Sequence, residues 1–236
     1  MDNKSLGEFD NWNLLKEDPR TCVYKATLDN APVIIKTYRL ENPLHRLQFW
    51  RKSVKVKDFY RDAGEQLKLS MFLSAGLFPD KRKGYLCYRY INGKDFRMID
   101  WGALPERTAL SLMEQAAELL RQLHKKGWVH GDFKFGNLLY CKEQDAVYLL
   151  DVEGLGKPFL GGATKGRDVA RFLLNGLELS VPKRYLEFFW RSYSREFAEP
   201  ETRQLKQHTK RWLEKLGQRH QRRYGRAVSL EQLTFL

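Results

Sequence analysis

The chain has 236 residues, with 42 lysines and arginines against 29 aspartates and glutamates, so its formal net charge is +13. This length suits one two-lobed domain or two small ones, and the charge favours contact with nucleic acid, an anionic membrane surface or an acidic substrate, with plain solubility as the alternative. Three scattered cysteines, Cys22, Cys87 and Cys141, exclude a disulfide framework or a zinc site and fit a reducing compartment.

Neither a secretory signal nor a membrane span is predicted. Residues 1–15 contain Asp2, Glu8 and Asp10 and have no apolar core, which excludes a signal peptide. The most apolar stretch, residues 69–78, has about ten residues, whereas a membrane-spanning helix needs roughly twenty. We therefore expect a cytoplasmic protein whose membrane contacts are peripheral.

The N-terminal part is predicted to be a small β-sheet with one helix. Residues 12–16, 21–28 and 32–39 have strand character, and Asp29-Asn30 is a typical hairpin turn between the last two. Residues 54–75 show helical spacing of apolar side chains and are predicted to form one helix. Residues 85–91 are predicted to form a further strand.

The C-terminal part is predicted to be mostly helical. An amphipathic helix over residues 106–126 should end at Gly127, a typical C-cap. Residues 138–140 and 147–150 are predicted to form a hairpin, and the glycine-rich residues 161–166 a flexible turn. A basic amphipathic helix is expected over residues 203–226. Its apolar stripe consists of Leu205, Trp212, Leu213 and Leu216.

The most specific pattern is the sequence His-Gly-Asp-Phe-Lys at residues 130–134, followed by Asn137 and, after a short apolar run, by Asp151. An aspartate two residues before a lysine and five before an asparagine, with a second aspartate after the next strand, is the catalytic-loop and metal-loop spacing of kinases. Phosphoryl transfer needs these residue types, because a carboxylate must meet the acceptor hydroxyl and oxygen ligands must hold Mg²⁺.

Each residue of this pattern has an expected role. Asp132 should act as the catalytic base or orient the acceptor hydroxyl, and Lys134 should contact the transferred phosphoryl group. Asn137 and Asp151 should bind Mg²⁺ through oxygen atoms, with Glu153 assisting at a second metal. A further residue, His130, is expected to form structural hydrogen bonds rather than to carry a proton.

ATP is the expected cosubstrate, and its phosphates are expected to meet a lysine of the N-terminal part. Lys36 interrupts an apolar strand and is either an edge-strand gatekeeper or a phosphate ligand, and the downstream pattern favours the second role. Glu65 is expected to hold Lys36 by an ion pair, with Asp62 as the alternative. A solvated acidic helix face is the third interpretation.

Other nucleotide contacts are less specific. Residues 17–24, where a phosphate-covering loop should lie, contain no glycine, and Arg20 is expected to compensate with its charge. Backbone groups near Tyr88 and Tyr90 are expected to meet the adenine.

The pattern departs from that of protein kinases in three places. Gly131 stands where an arginine usually pairs with a phosphorylated activation loop, and the sequence Asp-Val-Glu at residues 151–153 replaces Asp-Phe-Gly. Only sixteen residues separate Asp151 from Asp168, which is too few for a peptide-docking segment. The expected acceptor is therefore a small molecule or a glycolipid.

At these residues the chain resembles bacterial lipopolysaccharide core kinases of the Kdo/WaaP type, within the protein-kinase-like superfamily. The resemblance spans roughly residues 20–195 and rests on residues 33–38, 123–139, 150–151 and 167–172. It implies an α+β, bilobal, protein-kinase-like fold with a β-rich lobe over residues 1–91, a mostly helical lobe over residues 92–236 and a shortened activation segment. Asp168 would brace the catalytic loop.

The resemblance also implies a reaction and a location. The reaction would be Mg²⁺- and ATP-dependent phosphorylation of a heptose or Kdo hydroxyl in the lipopolysaccharide inner core, at the cytoplasmic face of the inner membrane. Cations of the helix predicted over residues 203–226 would contact the anionic membrane or core phosphates, with a solvated helix face as the alternative. Nucleic acid is not an expected partner, because the sequence shows no recognition module. The candidates for a basic acceptor cleft are Arg51, Lys52, Lys165 and Arg167.

Two other functions stay open. The first is an atypical serine/threonine protein kinase of the RIO/Bud32 type, which Lys134 and the positive charge would suit. The second is a kinase fold that only recruits partners to a membrane, which the glycine-free loop would suit. The sequence does not specify the oligomeric state.

Overall fold

A computed structural model describes residues 9–63, 67–69, 71–157 and 162–236. The described residues up to 63, together with those from 69 to 92, form one compact unit, and residues 67–68 together with those from 93 to 236 form the other. The first unit is a small antiparallel β-sheet with one helix, and the second is mostly helical. The predicted α+β class is therefore confirmed, and this architecture agrees with a bilobal kinase-like fold.

Five antiparallel strands form the sheet of the N-terminal unit. They are β1 (Phe9–Glu17), β2 (Thr21–Leu28), β3 (Ala31–Arg39), β4 (Phe72–Leu77) and β5 (Lys83–Arg89), in the spatial order β1-β2-β3-β5-β4. Alternate side chains of β3, such as Val33 and Ile35, are buried in a core with Phe9 and Tyr85. The strands predicted at residues 12–16, 21–28, 32–39 and 85–91 are confirmed with small shifts at their ends.

The helix predicted over residues 54–75 is wrong at both ends. The observed helix, α1 (Pro43–Ala63), begins where the Asn42 side chain accepts a hydrogen bond from the His45 N–H group at 2.8 Å. An asparagine N-cap followed by proline at the first helical position is a recognisable start signal that the apolar spacing alone did not use. Residues 72–77 form β4 instead, because a short apolar run suits either structure and pairing with β5 decides it.

The described residues of the C-terminal unit form four further α-helices and a small sheet. The helices are α2 (Glu106–Lys125), α3 (Gly162–Glu178), α4 (Lys183–Ser194) and α5 (Glu199–Tyr224), and the strands are β6 (Lys94–Asp95), β7 (Leu138–Cys141) and β8 (Ala146–Leu149). α2 ends as predicted at Gly127, whose φ of +74° favours glycine. The hairpin predicted at residues 138–140 and 147–150 is confirmed as the antiparallel pair β7 and β8.

Helices α3 and α5 pack closely, and this packing corrects the prediction of a flexible turn at residues 161–166. Residues 162–166 belong to α3, and a Cβ atom on Gly166 would lie 2.7 Å from the Cβ atom of His208 on α5. The glycine therefore permits close helix contact rather than flexibility. α5 confirms the predicted amphipathic helix, since Leu205, Leu213 and Leu216 are buried. No helix in the described part of the chain is long and apolar enough to cross a membrane.

Candidate active site

The loop between α2 and β7 alternates polar and buried aromatic side chains. Asp132 and Lys134 are half-exposed, whereas Phe133 and Phe135 are fully buried. The Phe135 ring stacks on Phe172 of α3 with 4.6 Å between centroids. Because successive side chains of an extended segment point in opposite directions, burial of the two phenylalanines presents Asp132 and Lys134 together on the other side.

Two cations hold the Asp132 carboxylate. The Lys134 Nζ atom lies 2.6 Å from Oδ2, and the Nε atom of Arg171, on α3, lies 2.7 Å from Oδ1. Burial alone would raise the pKa of Asp132, but the hydrogen bonds and charges of Lys134 and Arg171 outweigh it, and the pKa lies below its ordinary value. Asp132 is therefore an ionised, oriented hydrogen-bond acceptor.

The backbone of the loop is fixed from α3 by Asp168, which is fully buried. Its carboxylate accepts hydrogen bonds from the N–H groups of His130 and Gly131, each at 2.7 Å. Gly131 has a φ of +79°, a conformation that favours glycine and turns the chain into Asp132. The expectation that Asp168 braces the catalytic loop is confirmed.

A buried hydrogen-bond chain extends from Asp168 to α4. His124 of α2 lies 3.2 Å from Asp168 through Nε2 and 2.6 Å from the Tyr193 hydroxyl through Nδ1. Burial lowers the pKa of His124, against the opposing hydrogen bond and charge of Asp168, and burial also raises the pKa of Tyr193. The arrangement is thus Tyr193 donating to His124, and His124 donating to the Asp168 carboxylate.

His130 has the structural role expected of it. Its Nδ1 atom accepts from the Asp132 N–H group at 3.3 Å, which leaves Nε2 to donate to the Leu150 carbonyl at 3.0 Å. The side chain is almost completely buried. His130 therefore joins the catalytic loop to the residue that precedes Asp151.

Two of the predicted metal ligands, Asn137 and Asp151, have neighbouring backbones. The Asn137 carbonyl accepts from the Leu150 N–H group at 2.8 Å, which brings the backbone of Asn137 close to that of Asp151. The Asn137 side chain donates through Nδ2 to the Asp132 carbonyl at 2.8 Å, so Oδ1 is the atom that a cation would take. Asp151 is exposed, with a left-handed φ of 57°, and Glu153 is buried in the following 3-10 turn.

The donor set at this point fits a hard divalent cation. Amide and carboxylate oxygens are the ligands that Mg²⁺ prefers. No cluster of three or more His, Cys, Asp or Glu side chains able to enclose a metal occurs within the described residues. A cation bound by Asn137 and Asp151 would therefore complete its coordination with nucleotide phosphates and water, which is the usual way that Mg²⁺ is held.

The residues predicted to contact ATP lie in the N-terminal unit. Lys36 is half-buried on the central strand β3, opposite Val23 of β2 and Leu86 of β5, so it is not an edge-strand gatekeeper. Its expected partner Glu65 lies outside the described residues. The alternative, Asp62, is on α1 with the Arg61 Nε atom 3.9 Å away.

Arg20 is exposed in the tight turn between β1 and β2, where the Asp18 and Thr21 backbones bond each other. Tyr88 is buried on β5, and Tyr90 is half-buried beyond its end. The Tyr90 N–H group already donates to the Pro32 carbonyl at 3.1 Å. A backbone hydrogen bond to adenine would therefore come from the N–H group of another residue. The contacts of all three residues with ATP stay predictions.

No role was predicted for Arg171, which the structure places on the Asp132 carboxylate. One signal was present: residues three apart share a helix face, so Asp168 and Arg171 necessarily point towards the same loop. Asn175, one turn further along α3, accepts a hydrogen bond from the Phe135 N–H group at 3.1 Å. One face of α3 therefore supports the whole catalytic loop.

The proteins to which this chain is similar are named as protein kinases. No protein-family model matches the chain. Over 57 residues, 23% of the chain, it is 46% identical to the serine/threonine-protein kinase drp72 of Corynebacterium efficiens, of which it covers 11%. Over 149 residues, 61% of the chain, it is 28% identical to calcium/calmodulin-dependent protein kinase type 1 of Macrobrachium nipponense, of which it covers 38%. Fold, loop and partial similarity all indicate a kinase-like protein.

Proposed function

We propose that this protein is an ATP- and Mg²⁺-dependent kinase that phosphorylates a heptose or Kdo hydroxyl of the lipopolysaccharide inner core. The proposal rests on the Asp132 carboxylate, which is ionised and held by Lys134 and Arg171. The backbone of its loop is held by hydrogen bonds to Asp168. A kinase requires little covalent chemistry of its protein, so positioned charge is its main contribution to the rate.

Asp132 orients the acceptor hydroxyl in this proposal. Each carboxylate oxygen has two lone pairs, so an oxygen that already accepts from Arg171 or Lys134 can accept the hydroxyl as well. Its lowered pKa makes Asp132 a weak base. That suits a loose transition state, in which the proton leaves the acceptor late.

Lys134 and Arg171 neutralise negative charge beside the reacting oxygen. Lys134 carries its charge on a flexible four-carbon stem that can follow the transferred phosphoryl group. The Arg171 guanidinium has five N–H donors, of which Nε–H is used on Asp132. Mg²⁺, held by Asn137 and Asp151, would offset the charge of the nucleotide phosphates. Within the N-terminal unit, Lys36 is the residue that we assign to contact with ATP phosphates.

A small or glycolipid acceptor is supported by the short chain after Asp151. α3 begins at Gly162, so ten residues connect Asp151 to the helix that braces the loop. Ten residues give little room for a platform that binds an extended peptide. The net charge of +13 supports an acidic substrate at an anionic membrane surface, and we place the protein at the cytoplasmic face of the inner membrane.

A serine/threonine protein kinase is the second candidate. Two observations favour it: the similar proteins from Corynebacterium efficiens and Macrobrachium nipponense are both named as protein kinases, and Lys134 suits a serine or threonine acceptor. The same catalytic loop serves either acceptor, so the two candidates differ only in what binds beside Asp132.

The test offers purified protein, Mg²⁺ and γ-labelled ATP two acceptors in parallel: core lipopolysaccharide without core phosphates, and a mixture of soluble proteins from the same kind of cell. Label in the glycolipid that is absent with Asp132→Ala supports the sugar kinase. Label only on serine or threonine would replace it with the protein kinase. If Asp132→Ala leaves ATP turnover unchanged, the remaining interpretation is a kinase fold that only recruits partners to a membrane.

A further inference from the structure

The first half of α1 exposes large apolar side chains to solvent. Leu44, Leu47 and Trp50 are exposed to 59%, 41% and 60%, although the same helix buries Phe49 and Val56 against the sheet. The three exposed residues follow each other at intervals of three and form one ridge along the helix surface. Isolated exposed leucines are ordinary, but a contiguous ridge that includes a tryptophan indicates an interaction surface.

The ridge continues onto the edge of the sheet. A cavity of about 320 Å³ lies between α1 and the edge strand β4, and its lining includes Phe49, Trp50 and Leu77. Leu77 is itself 52% exposed. Lys81, in the turn between β4 and β5, also lines this cavity. The apolar surface therefore has a groove and a cationic margin, all within the N-terminal unit.

The helix segment that carries the ridge is basic, and the nearest acidic residues in the sequence are Glu41 before it and Asp58 after it. Residues 43–57 contain no aspartate or glutamate, and their five lysines and arginines are Arg46, Arg51, Lys52, Lys55 and Lys57. Within the part of the chain that the structure describes, none of the five forms an ion pair, and Lys52 lies over the Tyr38 ring at 4.9 Å. A local excess of positive charge around an apolar ridge repels a basic partner and attracts an anionic one.

We propose that the ridge Leu44-Leu47-Trp50, with its surrounding cations, docks the protein on an anionic phospholipid surface. Trp and Leu on one side of a helix, beside Lys and Arg, are the composition of helices that lie in the membrane interface. Tryptophan prefers that depth, since its ring is apolar and its N–H group remains near water. This docking surface would specify how the protein reaches the membrane location given under the proposed function. The inference rests on the proposed function only for the biological purpose of the docking.

The α5 helix is the competing membrane face, and it lacks one of the two features. Its exposed cations include Arg219 and Arg223, but its large apolar residues Leu205, Leu213 and Leu216 are buried. Trp212 is half-buried and donates its Nε1–H group to the Ala163 carbonyl at 2.8 Å. α5 therefore offers charge with little apolar surface to insert, whereas α1 offers both.

The test measures co-sedimentation of the full chain with vesicles of phosphatidylcholine, with and without phosphatidylglycerol, in the absence of nucleotide and acceptor. Two variants change α1: Trp50→Ser, and the charge reversal Arg46→Glu with Arg51→Glu. The matched control reverses two exposed arginines of α5, Arg219→Glu with Arg223→Glu, and changes the net charge equally. Circular dichroism and urea unfolding confirm that each variant folds.

We expect binding only to the vesicles that contain phosphatidylglycerol. The affinity for these vesicles should fall about tenfold from low to high salt. Each α1 variant should lose at least as much, and the α5 control should bind nearly as wild type. A further variant, Trp50→Phe, serves as a fluorescence reference. The wild-type emission spectrum minus that of Trp50→Phe gives the emission of Trp50, which should shift to the blue when the protein binds vesicles.

Three results would overturn the proposal: wild-type protein that ignores anionic vesicles, a larger loss in the α5 control than in the α1 variants, or a Trp50-dependent self-association without vesicle binding. Each of these leaves the kinase proposal untouched, because no phosphoryl transfer is measured. Conversely, failure of every acceptor to take label would leave the vesicle result intact.

Discussion

The Nε atom of Arg171 lies 2.7 Å from the Oδ1 atom of Asp132, so a helix that is distant in sequence holds the central carboxylate of the catalytic loop. Asp168, three residues before Arg171 on α3, holds the backbone of the same loop. One helix face thus fixes both the position of Asp132 and its charge. Most of our predictions follow from this arrangement.

Arg171→Gln should change the pH dependence of the proposed reaction. Glutamine carries no charge, so the pKa of Asp132 should rise towards its ordinary value and the acid limb of the kcat profile should move to higher pH. We expect kcat to fall about tenfold and the KM for ATP to stay nearly unchanged. Arg191→Gln, at an exposed position of α4 paired with Glu187, is the control. An unshifted acid limb in Arg171→Gln would contradict the assigned role.

Asp168→Asn should destabilise the protein by about 2–4 kcal/mol, because an amide cannot replace a buried carboxylate that accepts two backbone N–H groups and His124. Tyr193→Phe removes only the donor to His124 and should cost about 1–2 kcal/mol. Urea unfolding of the purified variants measures both changes. An Asp168→Asn variant as stable as the wild type would mean that the carboxylate does not brace the loop.

Stability should decrease as the pH falls below about 6.5, and His124 should account for part of that decrease. Burial lowers the folded-state pKa of His124, so the unfolded chain takes up a proton that the folded protein resists. The loss begins near the unfolded pKa and ends at the lower folded pKa. Asp132 adds a separate loss at lower pH, since its folded pKa is also lowered.

The measurement for His124 is the free energy of unfolding against pH, in wild type and in His124→Gln. The variant should be less stable at neutral pH, because Gln fills the site poorly, but its stability should depend less on pH just below 6.5. If the two curves run parallel, another group is responsible for the acid sensitivity.

Asp151→Ala should abolish the Mg²⁺-dependent part of nucleotide binding, because alanine offers no oxygen ligand. Asp151→Asn separates this effect from backbone strain: Asn adopts the left-handed conformation as readily as Asp, with φ near 57°, but lacks the charge. Calorimetric titration of both variants with ATP, with and without Mg²⁺, distinguishes loss of the metal ligand from backbone strain. Normal Mg²⁺-dependent binding by Asp151→Ala would show that the metal assignment is wrong.

The sequence predicted the sheet well where a local signal and the final pairing agree. Strand β2, the hairpin turn at Asp29-Asn30 and the Gly127 end of α2 each depend on few neighbouring residues. The error at residues 54–75 arose because apolar periodicity is ambiguous in a short run, and only pairing with β5 makes residues 72–77 a strand. The glycine-rich residues 161–166 misled in the same way, because the role of Gly166 depends on packing against α5, which is distant in sequence.

The candidate catalytic loop was recognisable in the sequence, because Asp132, Lys134 and Asn137 lie within a few residues of chain at the spacing typical of kinases. Arg171 was not, because its contact with Asp132 depends on how α3 crosses the loop, 39 residues further along the chain. The same limit applies to the chain from Tyr193 through His124 to Asp168, which joins three helices. Local patterns give the reacting groups, and tertiary packing gives the residues that hold them.

The most direct test of the account is the rate of γ-phosphoryl transfer from Mg·ATP by wild type and Asp132→Ala, measured beside their affinities for ATP. We predict that Asp132→Ala lowers the rate by roughly 10²–10⁴-fold and leaves ATP affinity nearly unchanged, since Asp132 meets the acceptor and not the nucleotide. Equal rates in the two proteins would contradict the central claim that the carboxylate held by Lys134 and Arg171 orients the acceptor hydroxyl.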